Sequence, residues 1–322
     1  MLKPSLLLAI LCLPVAALAA PDPALVALQA MDERVATLGH RLARSNADIC
    51  PRTMPLSGLL LHGLEQYSAR DRASAAATFG LGEELAVLAV IPGSAADRAG
   101  LRRGDAILTV GGRAFPRAAA RSRGSYGRVQ AVEELLLASM ESGPVEIEFN
   151  REGSRRSATL RPEPGCLSRV QLVPSGKLNA KADGTYAQIT TAIVEQAGSD
   201  DELALVIAHE MAHNALGHRV RLDRQKASRG VLRALDGSAA KIRRTEMEAD
   251  YLALYMLARA GFDLEAAPAF WQRSGPSAFL ETFSDGTHPG RAERIAAALR
   301  TIQEIRLKQR QGAPLVPNLP VN

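Results

Sequence analysis

The sequence predicts an α+β protein with two hydrophobic cores, one mostly helical and one rich in strands. Apolar residues at helical spacing in 24–44 and 245–257, and an apolar run at 203–208 that leads into a histidine motif, predict helices. Apolar segments at 85–91 and 145–149, bounded by glycine-rich turns, predict strands. At 322 residues, 47% of them hydrophobic, the chain can bury two modest cores.

The first 20 residues predict a cleaved secretory signal peptide. Lys3 supplies the positive start, 6–17 is a short apolar core, and small residues at 17–19 provide a cleavage site. Such a core is too short to span a bilayer. Cys12 suggests a lipoprotein anchor as the alternative, but Leu11 stands before it where a small residue is expected. We therefore expect a periplasmic or secreted protein whose mature chain has no transmembrane segment.

The charge balance is only mildly basic, and nucleic acid is not expected as a partner of an exported protein. The chain has 39 basic and 34 acidic side chains, so loss of Lys3 with the leader leaves 38 against 34. The basic loop 121–128 lacks the interleaved aromatic residues of a strand-binding surface. We expect polypeptides as partners and no nucleic acid.

The segment 21–64 contains one predicted helix, at 24–44, which is too small to fold alone. Its apolar stripe is expected to pack on the C-terminal domain, at 164–322. The stripe consists of Leu25, Leu28, Met31, Val35, Leu38 and Leu42. Residues 65–163, between these two parts, would then be an inserted domain whose two ends lie close together.

The inserted region has the features of a small strand-rich domain. Small residues at 92–100 allow a short helix to pack closely, Gly104 and Asp105 turn the chain, and 106–110 forms a strand. An amphipathic helix is expected at 129–140. The region resembles a bacterial PDZ domain, a fold that binds peptides by strand addition to a free sheet edge. By that resemblance Phe79, Gly80, Leu81 and Gly82 form the loop that receives a peptide's C-terminal carboxylate; an ordinary hairpin turn is the alternative.

The sequence His209-Glu210-Met211-Ala212-His213 predicts a metal centre. On a helix, residues four apart share a face, so His209 and His213 can bind one metal ion. Glu210 follows the first ligand and can act as general base on a water at the open position, the signature of zinc peptidases. A third histidine at the spacing of the three-histidine class is absent, because Leu216 and Arg219 occupy the required glycine and histidine positions.

A third ligand is expected downstream. Glu246 and Asp250 are again four apart on a predicted helix. We assign Glu246 as the third ligand of a catalytic zinc, and Asp250 as the acceptor that orients a ligand imidazole. Glu248 lies off that face and is expected at the surface, and His218 is expected at a helix end or behind the ligands. A solvated helix face is the alternative for Glu246 and Asp250.

The motif at 206–218, Glu246 with Asp250, and His288-Pro289 followed by Arg294 together resemble the CAAX prenyl protease and HtpX type of gluzincin metallopeptidase. The resemblance covers about 165–316 and implies a mostly helical domain with a small sheet, one zinc ion, and an edge strand at 178–184 beside the active site. It also implies that His288 stabilises the oxyanion or covers the metal, with a turn histidine as the alternative. Arg294 is expected to anchor that loop.

Two functions remain open at this stage. The first is a zinc-dependent endopeptidase of the bacterial envelope that acts on unfolded or misassembled proteins, with peptides docked by their C-termini on the PDZ domain. The alternative is a non-catalytic PDZ adaptor or holdase with a closed metal site.

The mature chain would retain two cysteines, Cys50 and Cys166, which bracket the inserted domain. In an oxidising compartment they are expected to form a disulfide, with two separate buried thiols as the alternative.

Overall fold

The computed structural model describes residues 20–115, 124–225, 238–273 and 289–319. The helices are α1 (Pro23–Ser45), α2 (Arg72–Phe79), α3 (Ala95–Arg98), α4 (Gly127–Glu141), α5 (Thr191–Gln196), α6 (Asp200–Ala215), α7 (His218–Arg224), α8 (Ser238–Arg259), α9 (Ala266–Arg273) and α10 (Arg291–Arg310). The strands are β1 (Thr53–Leu56), β2 (Leu59–His62), β3 (Leu85–Val90), β4 (Ala106–Val110), β5 (Arg113–Ala114), β6 (Val145–Arg151), β7 (Ser154–Leu160), β8 (Glu163–Cys166), β9 (Arg169–Val173), β10 (Ala180–Ala182) and β11 (Tyr186–Thr190). The mixture of helices with small sheets confirms the predicted α+β class.

Helix α6 is the centre of the C-terminal core. Residues 202–212 are buried without interruption, because the mostly apolar helix packs on several sides, against α8, α1 and α9 and the strands β10 and β11. Its start is well defined: the Ser199 side chain accepts a hydrogen bond from the Glu202 amide, and three acidic residues lie in the first turn. The metal motif therefore lies on a rigid, buried helix.

A three-stranded sheet in the order β10-β11-β9 lies beside α6. Strand β11 pairs antiparallel with β10 and parallel with β9. Strand β10 is therefore an edge strand, within the segment 178–184 where the sequence analysis expects one. Its outer backbone groups can accept a further strand.

The inserted domain is built on a six-stranded sheet with the order β2-β3-β4-β6-β7, and β5 pairs with β4. The β6–β7 hairpin turns through Glu152 and Gly153, both with positive φ (52° and 80°), the combination that type I′ hairpin turns require. Helix α4 buries Val129, Val132 and Leu136 in the core of this domain. Strand β2 precedes residue 65, so the sheet begins ahead of the boundary that the sequence analysis places there.

The two ends of the inserted domain meet at its base. Strands β1 and β8 pair antiparallel, and the pairing aligns Thr53 with Cys166. A disulfide joins Cys50 to Cys166, with their Cα atoms 5.4 Å apart, as the sequence analysis expects. The inserted domain is therefore attached to the C-terminal domain by two adjacent strands and a covalent cross-link.

Helix α1 contacts both parts of the molecule. Its residues Val35, Leu38 and Leu42 are buried in the C-terminal core, where the helix packs against α6 and β9. On another face, the Gln29 side chain donates a hydrogen bond to the Leu88 carbonyl of the inserted domain. In the described part of the chain, no helix is long and apolar enough to cross a membrane.

Candidate metal centre

Helix α6 places His209 and His213 one turn apart with their Nε2 atoms converging. The two Nε2 atoms are 3.1 Å apart. The arrangement follows from the helical repeat, which stacks residues i and i+4 on one face. Both imidazoles can therefore bind the same ion.

Helix α8 brings Glu246 to the same point. One carboxylate oxygen lies 3.2 Å from His209 Nε2 and the other lies 3.4 Å from His213 Nε2. Ligands about 2.05 Å from a tetrahedral ion lie about 3.3 Å from one another. The three donor groups already have this separation, and two imidazoles with one carboxylate form a donor set that catalytic zinc takes. Among the described residues, these three make the one group of metal-binding side chains with suitable spacing.

Asp250 and Arg294 fix the orientation of His209. His209 Nδ1 donates a hydrogen bond to Asp250 (2.9 Å), which leaves Nε2 for a metal ion. Arg294 Nε donates to the same carboxylate (2.8 Å), and its guanidinium lies 3.6 Å from the centre of the Trp271 ring. Burial alone would raise the pKa of Asp250, but Arg294 and His209 outweigh it and lower the pKa. Arg294 thus reaches the metal centre itself, through Asp250.

His213 is oriented by a second chain of side chains, His218 and Glu248. His213 Nδ1 lies 2.9 Å from His218 Nδ1, and His218 Nε2 lies 3.3 Å from a Glu248 oxygen. Burial lowers the pKa of His218 to about 4, so this ring is neutral. If His213 Nε2 binds a metal ion, its Nδ1–H must donate to His218 Nδ1, and His218 Nε2–H then faces the Glu248 carboxylate.

The position of Glu248 corrects the expectation that it lies free on the surface. Its side chain is 16% exposed and forms an ion pair with Arg221 of α7 as well as facing His218. Burial would raise the pKa of Glu248, but His218 and Arg221 outweigh it and lower the pKa. Helical phase within α8 correctly puts Glu248 on a different face from Glu246, but it does not show that α7 packs there.

Glu210 lies between the two histidines on α6 and is 3% exposed. Burial raises the pKa of its carboxyl group, and the neighbouring His209 and His213 act in the opposite direction. A buried carboxylate next to paired imidazoles is suited to accept and return a proton. His288, the remaining predicted catalytic residue, lies outside the described residues.

The predicted peptide-carboxylate loop lies before a strand with no free edge. Phe79 is the last residue of α2, Gly80 has a left-handed conformation (φ 64°), and Leu81 and Gly82 lead into β3. Strand β3 is hydrogen-bonded to β2 on one side and β4 on the other. The first residues of β3 are therefore paired on both sides, and the role of the 79–82 loop in peptide binding stays a prediction. In the described part of the chain, the edge strands of this sheet are β2, which lies beside α4, and β7.

Comparisons with known proteins find a match for the C-terminal domain and a match for the inserted domain. Residues 156–232 and 224–302 match the model of peptidase family M48, and residues 87–151 match a model of the PDZ domain. Among solved structures, the chain is similar to the crystal structure of the HtrA3 PDZ domain bound to a phage-derived ligand (FGRWV). That likeness has 19% identity, covers 35% of this chain and 89% of that chain, and has a TM-score of 0.26. No curated protein matches the chain.

Proposed function

From a chain that carries a family M48 metallopeptidase domain and a PDZ domain, we propose a zinc-dependent endopeptidase of the bacterial cell envelope. His209, His213 and Glu246 would hold one zinc ion. The observation that carries this proposal is the spacing of their donor atoms at 3.1–3.4 Å, which fits a tetrahedral ion. The match to family M48 spans all three residues.

The protein groups around the ion have separate roles in peptide hydrolysis. Bound zinc supplies Lewis acidity, lowering the pKa of a water molecule and polarising the scissile carbonyl. Glu210 accepts the proton of the attacking water and transfers it to the leaving amine. Asp250 and His218 hold the two imidazoles in the tautomer that leaves both Nε2 atoms free for the metal.

The substrate would bind as an extended strand along β10. This strand is an edge of the three-stranded sheet, and it packs against α6, which carries Glu210. Strand addition uses the substrate's backbone amides and carbonyls, so it requires an unfolded segment more than a particular sequence. This preference supports unfolded or misassembled proteins as substrates.

The PDZ domain would dock a second segment of the substrate by the same principle. Its sheet has a free edge at β2, next to α4. A docked segment raises the effective concentration of the attached chain at the active site. Docking through a free C-terminus is tested by comparing the cleavage of peptides with free and amidated C-termini.

Export to the periplasm, or secretion, fits two features of the chain. The first 20 residues have the pattern of a cleaved signal peptide. The Cys50–Cys166 disulfide is a type of bond that persists in oxidising compartments and is rare in the cytosol. An anchor at Cys12 is distinguished from cleavage by the mass of the mature N-terminal peptide.

The experiment that tests the activity combines metal analysis with proteolysis of fluorescent casein by the purified mature protein. We expect about one zinc per chain, and casein cleavage that a chelator abolishes and added zinc restores. The Glu210→Gln variant should keep its zinc but lose activity by roughly 10²–10⁴-fold, the usual cost of a lost general base. The matched control is Glu195→Gln, a change at an exposed residue of α5.

The alternative function is a non-catalytic adaptor or holdase. A scaffold has no use for a buried carboxylate at position 210, and burying one is costly. Full complementation of a deletion strain by Glu210→Gln would favour the adaptor, and zinc-bound wild-type protein that cleaves no polypeptide would do so too.

A further inference from the structure

A cavity of about 530 Å³ lies between the PDZ domain and the peptidase domain. One wall consists of β2 and α4, and the facing wall consists of α1 and the N-terminal part of β9. Ligand sites in proteins commonly have volumes of roughly 300–1,000 Å³. The β2 edge of the PDZ sheet therefore faces α1 and β9 across this cavity, and it is not fully open to solvent.

The PDZ wall of this cavity is suited to an extended peptide. In the described ranges, strand β2 lies at the edge of the sheet, so one side of its backbone has no strand partner there. Leu59 and Leu61 of β2, with Leu136 and Met140 of α4, provide apolar surface for alternate side chains of an added strand. These residues can bind the backbone and the apolar side chains of a peptide, and they do not discriminate between charged and uncharged side chains.

The charged groups of the cavity are unevenly balanced. Asp32 of α1 and Glu133 of α4 both line it, and Arg169 of β9 forms an ion pair with Glu133. Burial lowers the pKa of His40 and lowers that of His62 to about 4, so neither histidine adds a positive charge at neutral pH. Among the described residues, the lining of the cavity as a whole therefore holds two carboxyl groups against one guanidinium.

Asp32 is the carboxyl group without a counterion. Within the described ranges it forms no hydrogen bond or ion pair, although it lies close enough to the PDZ domain for its charge to contribute, after burial, to raising the pKa of Tyr67 to about 12. Burial, followed by the charge of Glu133, raises the pKa of Asp32 itself to about 7. Such a carboxyl group gains most when a cation is placed beside it.

We propose that this cavity binds an extended substrate segment that carries a lysine or arginine, and that Asp32 of the peptidase domain pairs with that cation. The site is composite: β2 and α4 bind the backbone and apolar side chains, and α1 selects a basic one. The inference rests on the proposed docking role of the PDZ domain and adds a side-chain preference to it.

The shape of the site favours a polypeptide over a free metal ion. The cavity wall includes a whole edge strand and several leucines, which a metal ion does not need. Asp32 is also outside the one group of described residues that has metal-binding spacing. A basic side chain on an added strand uses the edge, the apolar surface and the carboxylate together.

The test measures peptide binding to the full mature chain carrying Glu210→Gln, which prevents cleavage. The probes are fluorescein-labelled decapeptides of alternating valine and serine with a free C-terminus. A single lysine is moved along the sequence, and a second set carries acetyl-lysine at the same positions, which removes the charge and keeps the stem. Dissociation constants are measured by fluorescence anisotropy.

At one or a few adjacent positions, we expect lysine peptides to bind roughly five- to tenfold more tightly than their acetylated partners, as a partly buried charge pair would give. Asp32→Asn should reduce this ratio to below about twofold. The matched control is Glu33→Gln, at the next residue of α1, whose side chain is 36% exposed and already paired with Arg103, and it should keep the preference.

Equal binding of lysine and acetyl-lysine peptides at every position would overturn the inference and leave peptide docking intact. A lysine preference that survives Asp32→Asn would also overturn it. If none of the decapeptides binds, the docking part of the proposed function fails with the inference, while zinc-dependent casein cleavage is judged by its own assay. The circular dichroism spectrum and thermal melting of Asp32→Asn, compared with those of the wild type, check that the variant folds.

Discussion

The contact between His213 and His218 predicts that zinc affinity depends on residues that never touch the metal. Replacement of His218 by phenylalanine keeps a ring of similar size but removes the acceptor for His213 Nδ1–H, which lies 2.9 Å away. His218 is 1% exposed, so water is poorly placed to replace it. Leaving a buried donor without a partner costs on the order of 1–3 kcal/mol.

That cost corresponds to a zinc dissociation constant about 10- to 100-fold higher, in line with other partners of metal-bound histidines. Glu248→Gln should have a smaller effect, because an amide oxygen can still face His218 Nε2 at the present 3.3 Å, and only the negative charge is lost. The affinity order is therefore expected to be wild type, then Glu248→Gln, then His218→Phe.

Competition with a chromophoric zinc chelator measures these constants directly, without using turnover. Glu195→Gln serves as the matched control and should bind zinc as the wild type does. Circular dichroism of the zinc-loaded variants checks that each is folded. Zinc affinity of a folded His218→Phe protein within threefold of wild type would refute the argument that His218 orients His213.

The remaining predictions concern the third ligand, the general base and the cross-link. Glu246→Ala should lose zinc more completely than His218→Phe or Glu248→Gln, because it removes one of three ligands. Metal analysis after dialysis tests this, and near-stoichiometric zinc would contradict the assignment of Glu246. Glu210→Gln should retain zinc while casein turnover falls, and wild-type turnover would contradict the mechanism. Non-reduced mature protein should give one linked Cys50–Cys166 peptide by mass spectrometry. For the 116-residue separation of the two cysteines, the chain-entropy model gives about 4.8 kcal/mol of stabilisation as an upper guide. Cys50→Ser should therefore lower the urea concentration at the midpoint of unfolding. An unchanged midpoint would show that the bond does not constrain the unfolded chain.

The metal centre could be predicted well because its residues lie on helices. Spacing of four residues predicts that His209 and His213 share a face, and that Glu246 and Asp250 do; the packing of α8 against α6 then brings Glu246 to the two histidines. The side chains that pack against the other faces of α6 and α8 could not be predicted in the same way. Glu248 meets His218 because Gly217, with φ 61°, separates α6 from α7 and turns the chain. Spacing within a single helix contains no information about that turn.

For the inserted domain, the strand-rich fold was easier to predict from the sequence than the order of its strands. Strand β2 lies in the short apolar run 59–61, and such a run does not show whether it is a strand or a buried loop. Once β2 is missed, the loop assigned to the peptide carboxylate is the one at 79–82, which precedes the interior strand β3. The sequence did contain a signal against this: 85–89 is apolar at every position and buried throughout, which is typical of an interior strand covered on both faces.

Under the proposed function, two edge strands, β10 and β2, would let the chain select unfolded proteins without a strict sequence rule. Strand β10 borders the metal centre and β2 borders the interdomain cavity, and both offer backbone groups that a folded protein cannot pair with. The base of the PDZ domain, formed by β1, β8 and the disulfide, limits how far these edges can move apart. Under the proposed function, a substrate would present two extended segments at a restricted separation, so geometry would select an unfolded chain and Asp32 would add a side-chain preference.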